Sequence, residues 1–164
     1  MLELQRLTRD HLDAVRRFEV ENRAYFARSI SDRGDEYFAK FPEHHDALLA
    51  EQAAGGCAFH VLVDVQTGAV VGRFNLYDLK DGAANVGYRV AAEVAGRGVA
   101  TQGLRDLCRR ALDEYGLDRL DAAASRANVA SQRVLEKAGF TVEGECVVAG
   151  QPGVKFALLL RPAD

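Results

Sequence analysis

The spacing of hydrophobic and polar positions changes several times along the chain, and each change marks an element. LELQRL (2–7) alternates and predicts a short strand. Residues 9–28 place Leu12, Val15, Phe18, Val20, Tyr25 and Phe26 loosely at helical spacing. Ser31 or Asp32 is positioned to cap a further helix through Tyr37 and Phe38, and Pro42 breaks it or starts the next, over about 43–54. Gly55–Gly56 ends that helix. CAFHVLVDV (57–65), AVVGRFNLYDL (69–79) and NVGYRV (85–90) are β-rich runs separated by QTG and KDGAA, which predicts an antiparallel meander.

The period then becomes helical. Ala100, Leu104, Leu107, Cys108, Ala111, Leu112 and Tyr115 form one stripe, closed by Gly116. RLDAAA (119–124) is a short strand. Asn128 caps a helix with Val134, Leu135 and Ala138 on one face, and Gly139 stands just past its end. FTVEGECVV (140–148) and VKFALLL (154–160) close the chain as two strands joined by AGQPG. The order is β, helices, βββ, α, β, α, ββ, a mixed α/β sheet whose parallel part lies around 85–90 and 119–124.

Length and composition narrow the class. The 164 residues suit one domain, 1–164, with a real core. Net charge is −3, so no strong polyanion-binding field is implied and a nucleic-acid partner is disfavoured. No apolar run reaches the ~20 residues of a membrane span, and MLELQRLTRD lacks the apolar core of a signal peptide. A cytoplasmic location is the expectation. Cys57, Cys108 and Cys146 are far apart and show no metal-binding spacing, so they read as reduced thiols. His44 and His45 read as a solvated turn, the four histidines offer no ligand set, and no metal is expected.

The stretch VAGRGVAT (94–101) carries the first chemical signal. Gly96, Gly98 and Ala100 alternate just where the helical stripe begins. Small residues before a helix N-terminus let an anion reach free main-chain N–H groups. A tight turn that needs glycine for its own φ angles is the other reading, and the pattern alone does not separate them. A P-loop is excluded because no lysine follows Gly98. A dinucleotide fingerprint fails at Thr101, at Asp118 and in the antiparallel run before the loop.

A second motif, SRANVASQRVLEKAGF (125–140), changes the picture. With GRGVAT upstream it resembles the GCN5-related N-acetyltransferases (GNAT), and more closely their RimJ/RimL-like branch. That branch's N-x-x-S-x-x-V-L-E-K-x-G-F pattern is matched at Asn128, Ser131, Val134, Leu135, Glu136, Lys137, Gly139 and Phe140. The resemblance covers 55–160 well and the first fifty residues in layout. It implies a mixed, mostly antiparallel sheet of six to seven strands with about four helices, splayed at an acetyl-CoA site. It further implies acetyl transfer to a primary amine, such as a protein or peptide N-terminus, and in some members a homodimer.

Carried over to this sequence, the resemblance places the pantetheine arm along Tyr88, Arg89 and Val90. The pyrophosphate falls on the amides of Arg97, Gly98, Val99, Ala100 and Thr101, and Asn128 also contacts the cofactor. Ala95 replaces the Gln or Arg usual at its place. Leu135 stands where many relatives have a tyrosine, and the branch pattern instead implicates Ser131 as donor to the departing thiolate. Glu143, in the strand after Gly-Phe, is the candidate base, with Glu145 at the same strand parity; both also read as plain solvent-facing residues. The acceptor site is expected from Phe26, Tyr37, Phe38, Asn75 and Tyr77, while Arg73 and Arg89 also read as strand-surface charges. Acetylation of a small amine (amino acid, polyamine or antibiotic) is the alternative acceptor class. A non-catalytic CoA-binding sensor and a nucleotide-binding protein are readings of a different kind.

Overall fold

Seven strands form one sheet, in the order β1-β2-β3-β4-β5-β7-β6, in this computed structural model, which describes residues 1–161. The expected domain over 1–164 thus has its last three residues outside those described. The strands are β1 (Leu2–Arg6), β2 (Ala58–Asp64), β3 (Val70–Lys80), β4 (Ala83–Val90), β5 (Arg119–Ser125), β6 (Thr141–Val148) and β7 (Gln151–Leu159). Every neighbouring pair is antiparallel except β4 and β5. A crossover through helix α5 (Val99–Asp113) joins those two, as a parallel pair requires.

Among the described residues six α-helices stand where about four were expected, because the first fifty residues are more broken than their periodicity suggests. The stretch 9–28 divides at Asn22 into α1 (Leu12–Glu21) and α2 (Arg23–Phe26). Asn22 turns inward there: its Nδ2 donates to the Phe18 carbonyl at 2.9 Å and its Oδ1 accepts from the Ala92 N–H at 2.9 Å. The next helix, α3 (Asp35–Ala39), is capped by neither Ser31 nor Asp32. Arg23 grips the Asp32 carboxylate through Nε and Nη2, at 2.9 and 2.8 Å, so that side chain is not available as a cap. The same grip pulls the Asp32 pKa down to about 2. Helix α4 (Phe41–Ala53) carries Pro42 in its first turn, and α6 (Val129–Lys137) begins at Asn128.

The sheet has a core on each face. On one, Phe74, Leu76, Leu120 and Phe156 pack with Leu104 and Leu107 of α5 and Leu135 of α6. On the other, Phe59, Val61 and Val63 pack with Val15 and Phe18 of α1 and Phe41 of α4. Alternate residues of β2 serve the two cores, which explains its continuous apolar run. His60 in that run is fully buried, with Nε2 2.9 Å from the Tyr115 hydroxyl, and burial lowers its pKa to about 4. The three cysteines are free; Cys108 is buried and its thiol is pushed up to about 12 by that burial.

One feature of the sheet positions everything that follows. β4 pairs with β5 only from Ala83 to Asn85, opposite Arg119 to Asp121. β5 continues on its far side, paired with β7 as far as Ser125. β4 continues on its far side too, paired with β3 through Val90. Between them the sheet opens, and main-chain groups of Val86–Val90 facing β5 have no strand partner.

Candidate active site

The opening widens into a cleft of about 1150 Å³. Ala95, Gly96, Ala100, Asn128, Ala130, Ser131 and Val134 line one side, and residues of α2–α4 and of β3 line the other. Gly87, Tyr88, Arg89 and Val90 of β4 lie between the two.

The loop before α5 is set by backbone conformation. Gly96 and Gly98 both have φ +77°, a region other residues enter only with strain. A Cβ built on either would meet no protein atom within 4 Å. The glycines therefore answer the turn's conformation, and the space beside them is open. The first hydrogen bond of α5 runs from Gln102 N–H to the Gly98 carbonyl at 3.0 Å, so the N–H groups of Val99, Ala100 and Thr101 precede the helical ladder. No acidic residue stands in the first turn to compete with an anion. Gly103, on the opposite side of the helix, has a different cause. A Cβ there would lie 2.4 Å from the Phe74 ring, so glycine lets α5 press onto the sheet.

Asn128 caps α6 with its own side chain, Oδ1 accepting from Ser131 N–H at 3.1 Å. That bond places Ser131 in the first turn, facing the strand across the gap. Tyr88 reaches over from β4, its hydroxyl 3.0 Å from Ser131 Oγ and 3.3 Å from the Ser131 carbonyl. Burial raises the Tyr88 pKa above its ordinary value, partly offset by the bond to Ser131, so the phenol stays protonated at neutral pH. The ring stacks on Phe74, centroids 5.8 Å apart.

Successive β4 residues face opposite ways, so Arg89 lies on the other face of the sheet, toward α1. Its cross-strand partner is Arg73. Glu19, 1% exposed on α1, accepts a hydrogen bond from Arg73 Nη1 at 2.9 Å on Oε1, and Arg89 Nη2 lies 2.9 Å from the same oxygen as an ion pair. The Arg89 guanidinium also sits 4.7 Å over the Phe26 ring. Further along β3, Asn75 Nδ2 donates to the Tyr77 hydroxyl at 3.0 Å, and the Tyr77 ring lies against Gly87.

Most of the residues singled out from the sequence meet here. Tyr88, Arg89, Val90, Ala100, Asn128, Ser131, Phe26, Tyr37, Asn75 and Tyr77 line the cleft, and Arg97, Gly98, Val99 and Thr101 belong to the adjoining loop and first helical turn. Two do not. Phe38 points away, beneath the Arg23 guanidinium at 4.3 Å, because α3 turns consecutive residues about 100° apart and sends only Tyr37 inward. Glu143 sits outside the cleft, paired with Arg119 and, at 3.4 Å, with Lys155. Arg119 holds its carboxyl below the ordinary range. A register shift between Val142 and Gly144 removes the parity expected for Glu145, whose side chain pairs with Arg126 at 2.7 Å.

Other expectations also change. Arg73 is buried and Arg89 half-buried, and both pair with Glu19 and are not surface charges. His44 and His45 are helical: His44 lines the cleft against Tyr37, and His45 is buried with Nε2 2.9 Å from the Thr8 carbonyl. Glu19 was not singled out from the sequence at all. A glutamate between Phe18 and Val20, and an arginine inside AVVGRFNLYDL, are each charges in apolar runs that must find a partner when buried.

These residues fit acetyl-CoA. Free helix-start amides beside open space suit a pyrophosphate, and the unpartnered edge of β4 suits an amide-bearing arm.

Comparison with known proteins agrees. The sequence model of the Acetyltransferase (GNAT) domain matches residues 1–141. The Probable N-acetyltransferase YjcK of Bacillus subtilis is 29% identical over 135 residues, covering 77% of this chain and 72% of that protein. The ribosomal-protein-S5-alanine acetyltransferase of Vibrio fischeri superposes with a TM-score of 0.89 at 18% identity, over 98% of this chain and 96% of its own. RimL, a ribosomal L7/L12 α-N-protein acetyltransferase solved with coenzyme A, gives 0.83 at 18% identity over 96% and 93%. A chimera of the spermidine N-acetyltransferase SpeG from Vibrio cholerae gives 0.77 at 17% over 97% and 95%. The chain belongs to the GNAT acetyltransferase family and is an N-acetyltransferase that draws on acetyl-CoA.

Proposed function

We propose that this cleft acetylates the α-amine of a peptide N-terminus, which enters from the α2–α4 side while acetyl-CoA occupies the loop side. The observation that carries this is the interrupted pairing of β4 at Asn85, which joins the two walls at one opening. Acetyl-CoA supplies the thioester carbonyl that a neutral amine attacks: the C–N bond forms as the C–S bond breaks, the departing thiolate takes a proton from Ser131 Oγ, and the nitrogen gives up its proton to restore that hydroxyl. The amides of residues 97–101 and Asn128 hold its phosphate and pantetheine regions. Ser131 Oγ holds a proton on the cofactor side, and the Tyr88 phenol orients that hydroxyl. With the reacting groups confined between two walls, orientation supplies several kcal/mol of the acceleration.

The peptide acceptor is supported by the ribosomal-protein acetyltransferases, whose folds superpose more closely than SpeG. A small amine is the second reading, and the SpeG likeness favours it. The test is CoA release from acetyl-CoA, followed with a thiol reagent against N-terminal peptides, amino acids and spermidine. Release with peptides is the expected result. Release only with small amines establishes the second reading. Tight CoA binding without release for any of these amines counts against both acceptor classes.

A further inference from the structure

The floor of the acceptor wall holds two guanidinia on one carboxylate. Arg73 and Arg89 are directly opposed across β3 and β4, an arrangement that repels. Both pair with the same Glu19 oxygen, Arg73 through a hydrogen bond and Arg89 as an ion pair without one. The side chains of Glu19 and Arg73 are 2% and 6% exposed, and that of Arg89 is 16% exposed toward the cleft. One cation is left over in surroundings where an unpaired charge is costly. Arg33 adds a third guanidinium to this wall. Burial lowers the Arg89 pKa, Glu19 opposes that shift, and Arg33 and Arg73 add to it. Of the acids lining the cleft, Glu36 is paired with Lys40 at 3.1 Å, and Glu51 stands exposed on α4.

A second observation lies beside it. Asn75 Oδ1 is buried without a hydrogen-bond partner. Asn75 is two residues from Arg73 on the same face of β3, about 6.8 Å along the strand. It stands opposite Gly87, next to the point where the sheet opens. Arg89 shares this face, two residues beyond Gly87 on β4, so an amine donating to Asn75 Oδ1 and a carboxylate on the Arg89 guanidinium meet neighbouring positions of one wall.

We propose that the acceptor carries a carboxylate close to its amine, with the amine on Asn75 Oδ1 and the carboxylate on Arg89 and Arg33. This rests on the acetyl-transfer reading of the cleft. The carboxylate belongs either to a free amino acid or to an acidic residue next to a peptide N-terminus. Polycationic amines are rejected by the same charges.

The test uses acceptors matched except for the carboxylate: L-alanine against L-alaninamide, and C-terminally amidated Ala-Glu-Ala against Ala-Gln-Ala, with spermidine alongside. In at least one pair the acid is expected to exceed its amide in kcat/KM by about tenfold or more, and that pair identifies the source. Arg89→Gln is expected to bring the ratio to about one, leaving Arg73 and Glu19 as a neutral pair. If that variant does not fold, Arg33→Gln, altering an exposed side chain, is expected to lower the ratio. Equal rates within both pairs, faster turnover of spermidine, or a ratio unchanged in the folded variants overturns the proposal. Calorimetric binding of N-acetyl-L-alanine and its amide, with CoA present, supplies a readout without turnover. Preference for the acid, lost in the variant, supports the site even if no amine is acetylated, an outcome that would count against the acetyl-transfer reading alone. Equal binding of the two counts against the carboxylate site.

Discussion

The two walls of the cleft are made of different material. On the cofactor side, the Gly96–Thr101 turn and the Asn128 cap present main-chain groups, held by glycines at positive φ and one local side-chain bond. On the acceptor side, Glu19, Arg73 and Arg89 present charges brought together from α1, β3 and β4. Main-chain donors cannot be altered by substitution without refolding the turn, so such a wall suits a ligand common to every turnover. Side chains can be exchanged singly, so the opposite wall is where acceptor preference can reside. The walls should therefore fail in different ways.

The largest effect is expected at Glu19. Glu19→Ala leaves two opposed guanidinia, one buried and one half-buried, without their carboxylate, and should cost about 3–5 kcal/mol in denaturant unfolding. Loss of under ~1 kcal/mol would mean that the acceptor wall does not depend on this pair. Next, Ser131→Ala should lower kcat about a hundredfold, in the range expected of a positioned proton donor, with little change in CoA affinity. An unchanged kcat would remove Ser131 from the chemistry. Gly98→Ala should strain the turn by about 1–2 kcal/mol and raise the Kd for CoA roughly tenfold, while the acid-to-amide acceptor ratio stays constant. A changed ratio would show that the walls are not separable. Finally, Glu143→Gln should leave kcat/KM unaltered, since its carboxylate faces Arg119 and Lys155 away from the cleft.

The same contrast explains what could be read from the sequence. The Gly96–Thr101 turn and the Asn128 cap are local: a positive φ calls for glycine and a cap for asparagine, so the sequence shows them directly. The strand periods likewise led to the meander and the parallel pair. The acceptor wall depends on meetings between residues far apart, such as Glu19 and Arg73, separated by 54 positions. Asp32 resembles a cap until Arg23 is found holding it. Tyr37 and Phe38 are indistinguishable in sequence, and α3 turns one in and one out. Glu143 satisfied a family position, but a register shift and two cations took it elsewhere.

The division of the cleft can be tested most directly by titrating the protein with CoA and following the amide resonances of the whole chain. The account predicts the largest shifts at the N–H groups of residues 96–101, at 86–90 along the open edge of β4, and around Asn128 and Ser131, with Arg33, Tyr37 and Asn75 little changed. Shifts centred on α2–α4, with the 96–101 amides unmoved, would contradict it.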